Sequence, residues 1–115
     1  MAATIFTGKS AWTVSGRVFR LLLEAARSAD ANPASRFTML IEVFDNLQGI
    51  NLDQLDDLTR ADVIEALLKG TTAILDRLQA DAGELITGIS ADSLREAFNE
   101  LDQMLNTTAT GLYPG

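Results

Sequence analysis

The sequence contains no cysteine and no histidine. Without cysteine the chain has no disulfide, no thiolate nucleophile, no zinc–thiolate site and no iron–sulfur cluster. Without histidine it lacks the commonest general base and the commonest metal ligand of proteins. The groups left for chemistry are carboxylates, hydroxyls, one tyrosine and two lysines, Lys9 and Lys69. We therefore expect a protein that is not an enzyme and that binds no cofactor and no metal.

Targeting and membrane signals are also missing from the sequence. The first fifteen residues carry no basic stretch followed by a long apolar one, which is the pattern of a secretory signal. No run of about 18 apolar residues occurs, so no segment is predicted to span a membrane. We expect a cytoplasmic protein, or a component of a particle assembled inside the cell, with no membrane partner.

Charge is present but unevenly distributed. The 115 residues have a formal net charge of −7, yet residues 1–36 carry a net +3 and residues 37–115 a net −10. A basic first third and an acidic remainder can face each other within one fold or between subunits, or can form an unevenly charged solvated surface. The length suits a single domain with a core that needs no disulfide or metal.

A stretch near the start, ATIFTGKS at residues 3–10, matches the phosphate-binding loop G-x-x-x-x-G-K-[ST] if its first alanine stands for glycine. That loop needs a buried parallel strand before it and small residues that let its N–H groups surround phosphates. Only two residues precede the stretch, and Ile5 and Phe6 are bulky, so we predict no nucleotide site. We expect residues 1–10 to form a short extended arm that packs on another surface, with Ser10 near the start of the first helix.

Beyond the arm, apolar residues recur at steps of three and four, which is the spacing of amphipathic helices. In the second helix this pattern predicts a core face of Phe37, Leu40, Ile41, Phe44 and Leu47. Gly70 is expected either to bend its helix or to break it. The predicted elements are helices at about 11–30, 33–47, 59–70, 72–87 and 90–105, with a short helical connector within 50–58.

The predicted fold class is all-α: a four-to-five-helix antiparallel bundle with a short extended N-terminal arm and a flexible C-terminal tail. Short connections between the helices favour antiparallel neighbours. The chain divides into residues 1–10 for the arm, 11–105 for the helical bundle domain and 106–115 for the tail.

Two further patterns resemble ligand-binding motifs and fail at particular residues. A calcium loop starting at Asp45 would put Leu47 and Gly49 at two ligand positions, so we predict no calcium site. Ala66 and Gly70 have the spacing of a DNA-binding helix-turn-helix, but the region is acidic, whereas duplex binding needs basic residues at the phosphates. We therefore predict no metal partner and no nucleic-acid partner.

These exclusions favour a non-enzymatic protein-interaction or assembly module. Such a module would self-associate or dock on a protein partner, and the build of this chain suits an assembly component of a phage or mobile element. The residues expected to contact the partner combine the apolar arm with the basic first helix; they are Ile5, Phe6, Trp12, Arg17 and Arg20.

Two other function classes stay open. The chain could be an acidic inhibitor or immunity-type protein that blocks a basic nucleic-acid-binding site. That role requires one acidic surface made of Asp53, Asp56, Asp57 and Asp62. The chain could also be a small carboxylate-based enzyme or ligand-binding bundle, which requires a sizeable apolar pocket with convergent polar groups.

Overall fold

The computed structural model describes residues 2–8, 10–30, 35–80 and 88–112. Along the chain these residues form β1 (Ala2–Thr7), β2 (Ser10–Ser15), α1 (Gly16–Asp30), α2 (Arg36–Leu47), β3 (Gly49–Asn51), a 3-10 turn (Leu52–Gln54), α3 (Asp57–Ala80) and α4 (Ala91–Leu112). The described part of the chain is therefore an α+β fold with four helices and a three-stranded mixed sheet. The prediction of an all-α antiparallel bundle is wrong, whereas the extended N-terminal arm that it included is confirmed.

The three strands form one sheet in the order β2-β1-β3, so the N-terminal arm is its central strand. β1 and β2 form an antiparallel hairpin, while β1 and β3 are parallel; Ile5 pairs with Trp12 on one side and with Ile50 on the other. Side chains alternate between the two faces of a strand. Ala3, Ile5, Trp12 and Ile50 are at most 4% exposed and face the core, whereas Phe6 lies on the uncovered face. The arm therefore packs within its own domain.

The first helix begins five residues later than predicted, because residues 11–15 belong to β2. The apolar residues of this segment fit helical spacing when they are read together with the helix that follows. Trp12 and Val14 are also strand formers, and pairing with β1 decides between the two conformations. Ser15 then caps α1, its Oγ accepting the Val18 N–H at 3.3 Å.

The connector between α2 and α3 contains β3, which the sequence pattern did not predict. Gln48 ends α2 in the left-handed conformation (φ 53°, ψ 45°), and the chain turns directly into the strand. A Cβ at Gly49 would lie 2.8 Å from the carbonyl oxygen of Thr4, so glycine lets β3 approach β1 closely. The helical turn predicted for this connector is confined to Leu52–Gln54.

α3 is the central helix and contacts each of the other three helices. It runs through Gly70 without a break, and Gly70 is buried where α1 crosses it. A Cβ at Gly70 would lie 2.7 Å from both the Cα and the backbone nitrogen of Ala26. Gly70 therefore lets the two helix backbones approach, which is a packing role, and Ala66 is fully buried in the core.

α4 begins after a Ser90 cap, as predicted: the Ser90 Oγ accepts the Ser93 N–H at 3.2 Å. Its apolar stripe is buried at Leu94, Phe98, Leu101 and Leu105. The helix continues to Leu112, through residues that were expected to form a flexible tail. In this last part the Thr108 hydroxyl donates to the carbonyl oxygen of Met104 at 2.9 Å.

Parts of four predicted elements lie outside the described residues: residues 1 and 9 of the arm, the end of the helix at 72–87, the start of the helix at 33–47, and the last three residues of the tail. Where it is described, the helix at 72–87 is the second half of α3, which ends at Ala80. α2 starts after Ser35, whose Oγ accepts the Thr38 N–H at 3.1 Å.

Candidate interaction surface

Two of the five predicted contact residues, Ile5 and Trp12, are buried in the core of the domain. The Trp12 indole Nε1 donates to the carbonyl oxygen of Ala97 at 2.8 Å, and its ring lies 5.5 Å from that of Phe98, centroid to centroid. These contacts join the sheet to α4. Ile5 is therefore not on the surface, and Trp12 reaches it only as part of the wall of a cavity between the sheet and α4.

The other three predicted contact residues are exposed and lie on adjoining surfaces. Phe6 is 49% exposed and lines a groove against α2. Arg17 and Arg20 lie at the start of α1 beside Gln48, which also lines that groove. Arg20 pairs with Asp45 at 3.5 Å, and an ion pair as exposed as this one contributes at most about 1 kcal/mol.

The groove lies between α2 and β3, has a volume of about 490 Å³, and is here named the α2–β3 groove. Its apolar lining consists of Phe6, Leu40, Val43, Phe44, Leu47, Ile50 and Leu55. The remaining lining residues are Thr4, Gln48, Gly49, Asn51 and Gln54. Of the described residues that line it, none is charged, although charged residues make up 22% of the chain. An uncharged surface of this kind is unusual, because charged side chains are normally the ones exposed.

Large apolar side chains of the groove are exposed to solvent, with exposed fractions of 73% for Leu47 and 46% for Val43. Leu47 was predicted to lie on the core face of the second helix, and that assignment is wrong. α2 ends at this residue; its buried residues are Phe37 and Phe44, and Leu40 and Ile41 pack partly buried against the core, as predicted. The sequence does hold a signal for the groove: seven of the twelve residues of α2 are apolar, more than one buried stripe needs.

The two ends of the groove carry opposite charges. At the end where the chain enters β3 lie Arg17 and Arg20, partly offset by Asp45. At the end where the chain leaves β3 lie the exposed Asp53 and Asp56, partly offset by Arg60, whose guanidinium donates to the carbonyl oxygens of Asp53 at 3.2 Å and Leu55 at 2.7 Å. The α2–β3 groove is therefore an apolar surface with one basic and one acidic end, each partly offset by a residue of opposite charge.

The acidic residues that an inhibitor role requires are mostly engaged within the chain; they are Asp53, Asp56, Asp57 and Asp62. Asp56 Oδ1 accepts the Thr59 N–H at 2.7 Å, and hydrogen bonds from the Thr59 N–H and hydroxyl hold the pKa of Asp56 below the 3.8 of an ordinary aspartate. Asp57 pairs with Arg60 at 3.2 Å, and Asp62 pairs with Arg36 at 3.2 Å. Three of the four carboxylates therefore have partners within the chain, which gives the inhibitor alternative less support.

A cavity of about 650 Å³ lies between the β1–β2 turn and α4 and is open to solvent. Its two carboxylates, Asp53 and Glu100, are exposed. Among the described residues, no three acidic side chains lie close enough together to hold a metal ion. Catalytic and ligand pockets enclose most of their ligand in an apolar wall. A cleft this open, whose two carboxylates are both exposed, gives the enzyme alternative little support.

The ATIFTGKS stretch contains residues 3–7 of β1 and Ser10, the first residue of β2, and the two strands pair antiparallel; Lys9 lies outside the described residues. A phosphate-binding loop joins a strand to a helix, whose N-terminus then faces the phosphates. Ser10 was predicted to lie near the start of the first helix, but it is the first residue of β2. The stretch therefore has the wrong geometry for nucleotide binding.

No protein-family model matches the chain, and neither curated proteins nor solved structures give a significant match to it. In the ranges that the structure describes, none of the helices is long and apolar enough to cross a membrane. The fold and the surface define a small α+β domain with an apolar groove at the edge of its sheet.

Proposed function

We propose that this chain is a non-enzymatic protein-interaction module that docks on a protein through the α2–β3 groove. The observation that carries the proposal is the convergence of apolar side chains from separate elements on one uncharged groove: Phe6 from β1, Val43 and Leu47 from α2, and Leu55. Side chains left in water add little to the stability of the fold, whereas burying them against a partner is favourable. Contiguous apolar surface of this kind marks interaction sites.

The groove provides binding energy suited to a partner that makes further contacts. Fully burying a Val, Leu or Phe side chain contributes about 1.5–3 kcal/mol relative to leaving it exposed. Because Phe6, Val43 and Leu47 are each roughly half exposed or more, covering all three contributes about 3–5 kcal/mol. Association costs about 4 kcal/mol or more in lost freedom of motion. Stable docking therefore also uses backbone or polar groups beside the apolar anchors.

A matched pair of charge substitutions tests the proposal. Leu47→Glu places a carboxylate in the groove, and Gln79→Glu adds the same charge at an exposed position of α3 that does not line it. We expect wild type and Gln79→Glu to show the same associations in light scattering and in affinity capture from cells that express the chain, and Leu47→Glu to lose them. Urea unfolding of all three proteins verifies that the fold is retained.

An association that persists in both Leu47→Glu and Val43→Glu would contradict the proposal, because it would put the interaction surface elsewhere. Deleting residues 1–10 is not a useful test, since the deletion removes β1, the central strand of the sheet.

A further inference from the structure

We infer that the partner in the α2–β3 groove is a second copy of this chain, joined by antiparallel pairing of the two β3 strands about a twofold axis. The inference rests on the proposed function, because it assigns an occupant to the same groove. It is carried by the open edge of β3, by the uncharged groove beside that edge, and by the opposite charges at its two ends.

β3 is the outer strand on its side of the sheet, so one of its edges is open among the described strands. The Thr4 N–H donates to the Gln48 carbonyl oxygen at 3.2 Å, and Thr4 pairs with Gly49 in the parallel ladder. In such a ladder alternate residues direct their N–H and C=O groups towards the neighbouring strand. Ile50 therefore faces β1, while the backbone groups of Gly49 and Asn51 point to the open edge.

This pattern suits pairing with an identical strand. A twofold axis at Ile50 puts Gly49 of each copy opposite Asn51 of the other copy. Because both residues direct their backbone groups outward, each such pair exchanges two N–H···O bonds, and Ile50 faces Ile50 of the second copy in a non-hydrogen-bonded position. The two three-stranded sheets become one continuous sheet. These bonds are the additional backbone contacts that the apolar anchors need.

The groove supplies the apolar part of the same interface. Val43 and Leu47 lie beside β3, and Phe6 lies on the uncovered face of the neighbouring strand. A short edge strand pairs weakly by itself, because three residues offer few hydrogen bonds. Covering these side chains with their counterparts strengthens the pairing, and no charged residue among the described lining has to be desolvated.

Charge complementarity favours a second copy in the antiparallel orientation. That orientation places the basic end of one groove, at Arg17 and Arg20, opposite the acidic end of the other, at Asp53 and Asp56. By symmetry the favourable match occurs twice. The net charge of −7 on each copy opposes association at long range, but at about 0.15 M salt that repulsion is screened beyond roughly 8 Å. The matched ends are short-range contacts and are screened less.

Sedimentation velocity over a range of protein concentrations tests the dimer. We expect a concentration-dependent monomer–dimer equilibrium for wild type and for the control Gln79→Glu, and monomers for Leu47→Glu and Val43→Glu. Amide hydrogen exchange locates the contact: the N–H groups of Gly49 and Asn51 are expected to exchange at least about tenfold more slowly in concentrated than in dilute wild-type protein.

A charge exchange tests the orientation. Arg17→Glu and Asp53→Arg each turn a favourable match into an unfavourable one at both symmetry-related ends, so each is expected to weaken its own dimer by about tenfold. An equimolar mixture of the two variants restores both matches. We therefore expect the mixture to form a heterodimer about as stable as the wild-type dimer, measured by the same sedimentation experiment.

Two results would overturn the inference in distinguishable ways. A wild-type chain that stays monomeric at every concentration, yet binds another protein in a manner that Leu47→Glu abolishes, would refute the second copy and leave the proposed function standing. A dimer that is unaffected by Leu47→Glu, with no added protection at Gly49 and Asn51, would refute both.

Discussion

α2 and α3 are both rich in apolar residues, but the fold covers them very differently. α3 buries eight residues and lies among the three other helices. α2 buries only Phe37 and Phe44 and leaves Met39, Val43 and Leu47 exposed. Met39 lies one turn before Val43 on the helix, so the exposed apolar surface extends beyond the groove itself.

The difference separates the residues that hold the domain together from those that remain for binding. α3 is surrounded, so the volume and shape of its side chains are fixed by packing. α2 lies at the edge of the sheet beside β3, and its surplus apolar residues are not required by the core. We therefore expect stability and association to respond to different substitutions.

The largest expected effect comes from equivalent truncations in the two helices. Leu67→Ala removes a fully buried side chain of α3 and should lower the free energy of unfolding by about 3 kcal/mol. Leu47→Ala removes a mostly exposed side chain of α2 and should change it by less than about 0.5 kcal/mol. Urea unfolding of both variants makes the comparison, and equal losses would show that α2 is as much a part of the core as α3.

The next largest effect is expected for a substitution at the crossing of α1 and α3. Glycine to alanine in a helix interior ordinarily gains about 1 kcal/mol of stability. Gly70→Ala should instead lose about 2 kcal/mol, since the new Cβ meets the Ala26 backbone at 2.7 Å. Adding Ala26→Gly should not restore stability, because the Cα and nitrogen of residue 26 remain in place. A stabilised Gly70→Ala, measured by urea unfolding, would mean that the helices can move apart at no cost.

A smaller loss of stability is expected for a substitution at the edge of the sheet, because β3 is an outer strand and can shift more easily than a buried helix. Gly49→Ala should lower the free energy of unfolding by about 1 kcal/mol, because the new Cβ meets the Thr4 carbonyl oxygen at 2.8 Å. Gly8→Ala is the matched control: its nearest atom is a carboxylate oxygen of Asp53 at 3.3 Å, at the end of a side chain that can rotate away. Thermal unfolding of both should rank them in this order, and the reverse ranking would refute the close approach of β1 and β3.

Part of the fold was predictable because the signals are local. Ile5 and Phe6 between threonines predicted an extended arm, and the spacing of Leu94, Phe98 and Leu101 predicted the last helix. β2 was missed because its apolar residues also continue the helical spacing of α1, and only the neighbouring strand decides. β3 is three residues long, too short to show an alternating pattern.

The candidate site was predictable only in part for a similar reason. Apolar spacing shows that Val43 and Leu47 are on a helix, but whether they are covered depends on elements that are distant in sequence. Phe6 was expected to contact a partner and is exposed, whereas Ile5, one residue before it, faces the core. That alternation follows from β1 being paired on both sides, which the sequence pattern of the arm does not reveal.

The smallest expected effect distinguishes the starts of the two helices by pH. α2 begins at the hydroxyl of Ser35, whereas α3 begins at the carboxylate of Asp56, whose pKa the Thr59 hydrogen bonds lower. Because the pKa of Asp56 is lower in the folded protein, its ionised carboxylate stabilises the fold when the pH is above the unfolded-state pKa of 3.8. This stabilisation is lost as the pH falls through the lower pKa of the folded state. We therefore expect wild type to have a higher melting temperature than Asp56→Ser at neutral pH, and this difference to shrink below about pH 4.

Ser35→Ala is the control. The difference in melting temperature between wild type and Ser35→Ala should stay constant over the same pH range, because this substitution removes no ionisable group. Equal pH dependence in both comparisons would mean that the charge of Asp56 does not contribute to the start of α3.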